Sequence, residues 1–142
     1  MILFGCDHAG FKLKQVLLAH LATKKITTRD FGCYNEESID YPDYAHLVAE
    51  AVVASPQCFG VLICGSGNGI NMTANKHSEI RSALCWKKEI AVLARQHNNA
   101  NILALPARFL TNEESIEILN AFLETVFEGG RHQKRIEKIT KN

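Results

Sequence analysis

Apolar runs of strand length alternate with amphipathic stretches from one end of the chain to the other. ILFGC (2–6) is followed by GFKLKQVLLAHLATK (10–24), in which Leu13, Val16, Leu17 and Leu21 keep helical spacing. ITTRDFG (26–32) predicts a second strand, and YAHLVAEAVVAS (44–55) a second helix with Pro42 near its start. FGVLIC (59–64) predicts a third strand, and INMTANK (70–76) can continue as a short helix. IRSALCW (80–86) precedes KKEIAVLARQHN (87–98), and NILALPA (101–107) precedes TNEESIEILNAFLETVFEG (111–129). Thr111 or Asn112 with Glu114 or Ser115 has the form of a capped helix start, and Gly129-Gly130 that of a stop. Five strand–helix units in a row predict a three-layer α/β/α, Rossmann-like sandwich around a five-stranded parallel sheet. No linker, repeat or low-complexity tract interrupts them. Residues 1–142 therefore read as a single domain, with 129–142 as a basic C-terminal tail helix.

Composition narrows the function classes. The chain is 46% hydrophobic and 22% charged, which is globular rather than disordered. A net charge of +1 supplies no overall field for nucleic acid or an acidic membrane surface, so anion binding must come from local geometry. No apolar run approaches the roughly 20 residues of a membrane span. The opening MILFGCDH lacks a basic stretch and reads as a buried strand rather than a signal peptide. Five cysteines, at 6, 33, 58, 64 and 85, include no close pair with zinc-site spacing. Cys6, Cys33, Cys58 and Cys85 read as small hydrophobes, a usage that fits a reducing cytoplasm.

In open parallel sheets, ligands bind outside the carboxyl ends of the strands. That rule selects Asp7 and His8, the loop Cys64-Gly65-Ser66-Gly67-Asn68-Gly69, and the residues near Trp86 and Arg108. Asp7 can also be a plain N-cap; His8 beside it favours a polar site. The alternate glycines let the backbone turn N–H groups toward an anion, and the following helix start adds partial positive charge. A field of that sign favours the thiolate form of a cysteine such as Cys64 at the lip of the loop. The loop fails as a dinucleotide fingerprint, because its glycines fall as G-x-G-x-G, position 70 is Ile and the next strand ends without an acid. It fails as a P-loop too, since no Gly-Lys-Ser/Thr follows. In the tail, Arg131, Lys134, Arg135, Lys138 and Lys141 recur at three- and four-residue spacing. That stretch is either a solvated helix or, through Arg131 and Arg135 one turn apart, a forked grip on a phosphate.

Taken in order, GCDHAG (5–10), DYPDYA (40–45), CGSGNGI (64–70), ANK (74–76), RQHNNAN (95–101) and GGRHQKR (129–135) resemble the type B ribose-5-phosphate isomerases of the RpiB/LacAB family. The resemblance spans essentially the whole chain. It implies an aldose–ketose isomerase that interconverts ribose 5-phosphate and ribulose 5-phosphate through an enediolate. It implies Cys64 as the base between C2 and C1; relatives without this cysteine use a Glu at the position that Ile70 fills here. It implies that His97 assists opening of the furanose ring. Asp7, His8, Gly65, Ser66, Gly67, Asn68, Gly69, Asn98, Arg108, Arg131 and Arg135 match sugar- and phosphate-binding positions, with Tyr41 close by. A dimer or tetramer is implied as well.

The residue types suit that chemistry. Aldose–ketose conversion needs a base that removes a carbon-bound proton and returns it to the neighbouring carbon. Ser66 and the loop N–H groups can serve the enediolate oxygen, while His8 and the basic tail hold the phosphate. No cofactor, metal, nucleic acid or membrane is expected. His97 ends the helix before the fifth strand and is expected at the amino-end edge of the sheet, whereas Cys64 lies at the carboxyl end. A strand of about 6 residues spans roughly 20 Å, so a two-fold dimer with shared active sites is expected. The alternatives are an allose or galactose 6-phosphate isomerase, a non-catalytic flavodoxin-like module binding phosphate or flavin mononucleotide, and a cysteine hydrolase pairing Cys64 with His97.

Overall fold

A computed structural model describes residues 1–141. Its strands are β1 (Ile2–Cys6), β2 (Thr28–Asp30), β3 (Phe59–Cys64), β4 (Ser82–Leu84) and β5 (Ile102–Pro106). The helices are α1 (Phe11–Thr23), α2 (Tyr41–Ala54), α3 (Asn68–Ala74), α4 (Lys88–Asn98), α5 (Asn112–Glu124) and α6 (Arg131–Ile136). Every strand pairing is parallel, in the order β2-β1-β3-β5-β4, so the expected α/β/α sandwich is present. The chain leaves β1 toward β2 and then returns to β3 on the other side of β1. Such a reversal opens a crevice at the carboxyl ends of the two strands. Asp7-His8 and the Cys64–Gly69 loop flank it.

Side chains alternate across the sheet. Ile2, Phe4 and Cys6 of β1 face the layer made by α1, α4 and α5, where Leu13, Leu17, Ala91, Ile118 and Phe122 bury against Val61, Ile63, Leu103 and Leu105. Leu3, Leu62, Cys64 and Ala104 face α2 and α3, which contribute Val48, Val52, Ile70 and Ala74. Cys64 thus ends β3 with its side chain on the α2–α3 side.

Lys14 of α1 is fully buried, and its ammonium donates to Asp30 Oδ1 at 2.7 Å and to the Cys33 carbonyl. Lys14 thereby ties β2 and the loop after it to α1. Removing Asp30 would leave the buried ammonium of Lys14 uncompensated. All five cysteines are free and buried.

The elements differ from the sequence pattern mainly at their ends. β2 and β4 are edge strands, and each keeps only three ladder partners, shorter than the apolar runs at 26–32 and 80–86. The helix expected from 44 begins at Tyr41, with Pro42 tolerated in its first turn. α3 begins at Asn68, inside the stretch read as loop. Thr111 caps α5 in a full capping box with Glu114. That helix was expected to run to 129 but stops at Glu124, and Thr125 is already extended. Arg95, buried on α4, causes the stop: its Nε donates to the Thr125 carbonyl at 3.3 Å and its Nη1 to the Ala100 carbonyl at 2.6 Å. The expected tail helix forms only over Arg131–Ile136, and its last residue, 142, lies outside the described residues.

Candidate active site

Two clusters of polar residues stand at opposite edges of the sheet. The first is built where β1 and β3 end. Asp7 is buried, and its Oδ1 accepts from the Ala9 and Gly10 N–H groups at 2.9 and 3.1 Å, capping the short 3-10 turn His8–Gly10. The capping reading of Asp7 is therefore correct for Oδ1. Among the described residues Oδ2 has no such partner. His8 accepts the Ile39 N–H at Nδ1, 3.1 Å. A neutral imidazole engaged in that way carries its proton on Nε2 and presents a donor there.

The glycine loop lies beside them. Cys64 is 4% exposed, and the Gly67 N–H donates to its Sγ at 3.2 Å. Ser66 is exposed, and its Oγ accepts from the Asn68 N–H at 3.3 Å. Among the described residues the N–H groups of Ser66 and Gly69 have no protein acceptor, so both remain for a ligand oxygen. Two side chains fold over the loop. The Tyr41 ring packs on Gly69 so closely that a Cβ there would overlap it. Arg108 donates its backbone N–H to the Gly65 carbonyl at 3.0 Å and lays its guanidinium against the Gly65 α-carbon. Ile39 and Tyr41, two residues apart, thus reach both His8 and the loop.

The second cluster surrounds the end of α4. His97, Asn98, Arg131, His132, Arg135 and Ile136 line a cavity of about 410 Å³. The rings of His97 and His132 stack with centroids 4.2 Å apart. His132 Nε2 lies 3.5 Å from Glu128 Oε2. The Glu128 backbone N–H donates to the Gln96 carbonyl at 3.1 Å, which fastens the segment after α5 to the end of α4. His132 and Glu128 were absent from the site read in the sequence. His132 sits directly beside Arg131, but nothing in the spacing links it to His97, 35 positions away. The sequence also showed no metal-type cluster, whereas His97, Glu128 and His132 converge in space.

The sequence profile of the ribose/galactose isomerases matches residues 2–139. The chain belongs to the ribose/galactose isomerase family. Ribose-5-phosphate isomerase B of Escherichia coli K12 is 45% identical over 139 residues, covering 98% of this chain and 93% of that protein. The crystal structure of ribose-5-phosphate isomerase B from Mycoplasma genitalium with bound ribulose-5-phosphate is similar at 46% identity and a TM-score of 0.93, covering 97% of this chain and 92% of that one. The Thermotoga maritima structure of the same name is 47% identical with a TM-score of 0.95, over 97% and 95%.

In this ribose/galactose isomerase, the register of the sheet fixes how far apart the clusters lie. Cys64 pairs with Pro106, whereas Ile102 at the start of β5 pairs with Gly60. Four steps of ~3.3 Å put about 13 Å of strand between those levels, and His97 and Asn98 precede Ile102. Asp7, His8, Tyr41, Gly65 to Gly69 and Arg108 therefore gather with Cys64. His97, Asn98, Arg131 and Arg135 gather at the other edge of the same chain.

Proposed function

We propose that this chain interconverts D-ribose 5-phosphate and D-ribulose 5-phosphate by proton transfer through an enediolate. The observation that carries the reading is the Sγ of Cys64, held by the Gly67 N–H at the head of a loop whose Ser66 and Gly69 N–H groups are unengaged. Cys64, as thiolate, takes the proton from C2 of the open-chain aldose. The C2 electron pair forms the C1–C2 double bond, and the carbonyl π pair becomes the enediolate oxygen. The loop N–H groups and Ser66 donate to that oxygen where its charge develops. As the C2 hydroxyl passes its proton to the C1 oxygen, the thiol returns its own proton to C1, and the C2 oxygen becomes the ketone.

His97 opens the furanose ring by moving a proton between the anomeric hydroxyl and the ring oxygen, with Asn98 beside it. His8 donates from Nε2 to the phosphate, and Arg131 and Arg135 hold it in a forked manner. Asp7 binds a sugar hydroxyl through Oδ2, Tyr41 walls the sugar site, and Arg108 adds positive charge above Gly65.

Each site uses the Cys64 cluster of one subunit and the His97 cluster of its partner in a two-fold dimer. The separation of the two clusters along β5 supports that arrangement, as do the exposed apolar side chains of Leu47, Met72, Leu93 and Ile139. Among the described residues no helix is long and apolar enough to cross a membrane. Five free buried cysteines suit the reducing cytoplasm.

A coupled assay over ribose 5-phosphate, allose 6-phosphate and galactose 6-phosphate tests the assignment. Preferential turnover of ribose 5-phosphate is expected. Turnover of a hexose phosphate alone would move the substrate and keep the reaction. Turnover of none, with a yellow protein, would favour a flavin-binding module.

A further inference from the structure

We propose that His97, Glu128 and His132 form a site for a transition-metal dication of the zinc type, and that filling it takes His97 out of the reaction. His132 is only 7% exposed, and its ring lies nearly parallel to that of His97, the planes differing by 13°. One ligand atom from each of the three side chains falls within 4.8 Å of the other two. Two imidazoles and a carboxylate are the donor set of a three-ligand zinc site with an open fourth position. Bonds of ~2.1 Å in a tetrahedron bring donors to about 3.4 Å from one another, so the cluster has to contract. The side chain of Glu128, 50% exposed, and the partly exposed His97 can turn inward while His132 stays fixed.

The surroundings choose among cations. Arg131 and Arg135 line the same cavity, and their charge opposes a bare dication. Mg²⁺ and Ca²⁺ depend on several oxygen ligands and find one carboxylate here. Zn²⁺, Ni²⁺ and Co²⁺ bind neutral imidazole strongly and tolerate that field better. A ring nitrogen bound to the ion can no longer move a proton at the sugar ring oxygen. This consequence rests on the role assigned above to His97.

Titration of the whole protein with Co²⁺, followed by its visible absorption, reads the site without reference to turnover. One Co²⁺ per chain is expected, with bands that Zn²⁺ abolishes. Glu128→Gln, a change at an exposed side chain, and His132→Asn are each expected to weaken binding at least about tenfold. Glu128→Gln is further expected to keep its basal isomerase activity while becoming at least about tenfold less sensitive to Zn²⁺. Absence of bands in the wild type, or bands and zinc sensitivity unchanged in Glu128→Gln, would overturn the site. Zinc sensitivity of the wild type lost only in Cys64→Ala, read from residual turnover, would assign the metal to the thiol and overturn it as well. Cobalt bound at these residues with full turnover would leave the site standing and remove the role given to His97.

Discussion

The backbone N–H of Gly67 reaches the Sγ of Cys64 at 3.2 Å, and Gly67 does so with φ at +75°, where side chains are strained. A Cβ at Gly67 would also stand 3.2 Å from the carbonyl carbon of Leu105 and the nitrogen of Pro106. Gly67→Ala is expected to cost about 1–3 kcal/mol of stability and to lower kcat more than it raises KM, because the donor that holds the sulfur moves. Denaturant unfolding and steady-state kinetics check both. Gly129→Ala is the control, since φ there is +67° but no atom lies within 4 Å. It should lose some stability and keep its kinetics; equal kinetic damage in the two variants would detach the loop geometry from the chemistry.

Arg131 and Arg135 share one cavity wall with His97. If they hold the phosphate, Arg131→Ala and Arg135→Ala each remove a charge-assisted bond of about 1.5–3 kcal/mol. KM should rise roughly 10- to 100-fold, with a smaller change in kcat. A fall in kcat at constant KM would place the phosphate elsewhere.

Burial pushes the thiols of Cys6 and Cys85 up from an ordinary 9.0 to about 12. For Cys6 the loss of water is the largest influence, and the charge of Lys14 opposes it. As pH rises through 9 the unfolded chain gives up these protons while the folded chain keeps them. The stabilisation they bring is complete below pH 9 and is lost progressively toward about 12. Unfolding free energies measured at about pH 8 and about pH 10.5 should fall, and fall less in a Cys6→Ala, Cys85→Ala variant. An unchanged slope in that variant would assign the alkaline loss to other groups.

The sheet and half of the site were legible in the chain because they depend on local pattern. FGVLIC marks β3 to the residue, since a strand buried on both faces is apolar throughout and the glycine after it ends the run. Asp7, His8 and the loop follow from the rule of strand ends. The end of α5 was not legible. The segment through 129 keeps helical apolar spacing, and what halts it is Arg95, a side chain 30 positions earlier that captures the Thr125 carbonyl. The stack of His132 on His97 depends on that same redirected segment. A contact made by two helix ends across an irregular turn leaves no periodic trace.

In a site shared between subunits, Cys64 and His97 meet only across two chains. Cys64→Ala and His97→Asn should each lose at least about 10²-fold in activity. In a mixed dimer of the two, one site carries both changes and the other carries neither. Equal amounts co-expressed or refolded together give mixed dimers as half of the total, each with one of its two sites intact. The mixture should recover about a quarter of wild-type activity. Mixed dimers, demonstrated by mass, that show no activity above their parents would contradict a site shared between subunits.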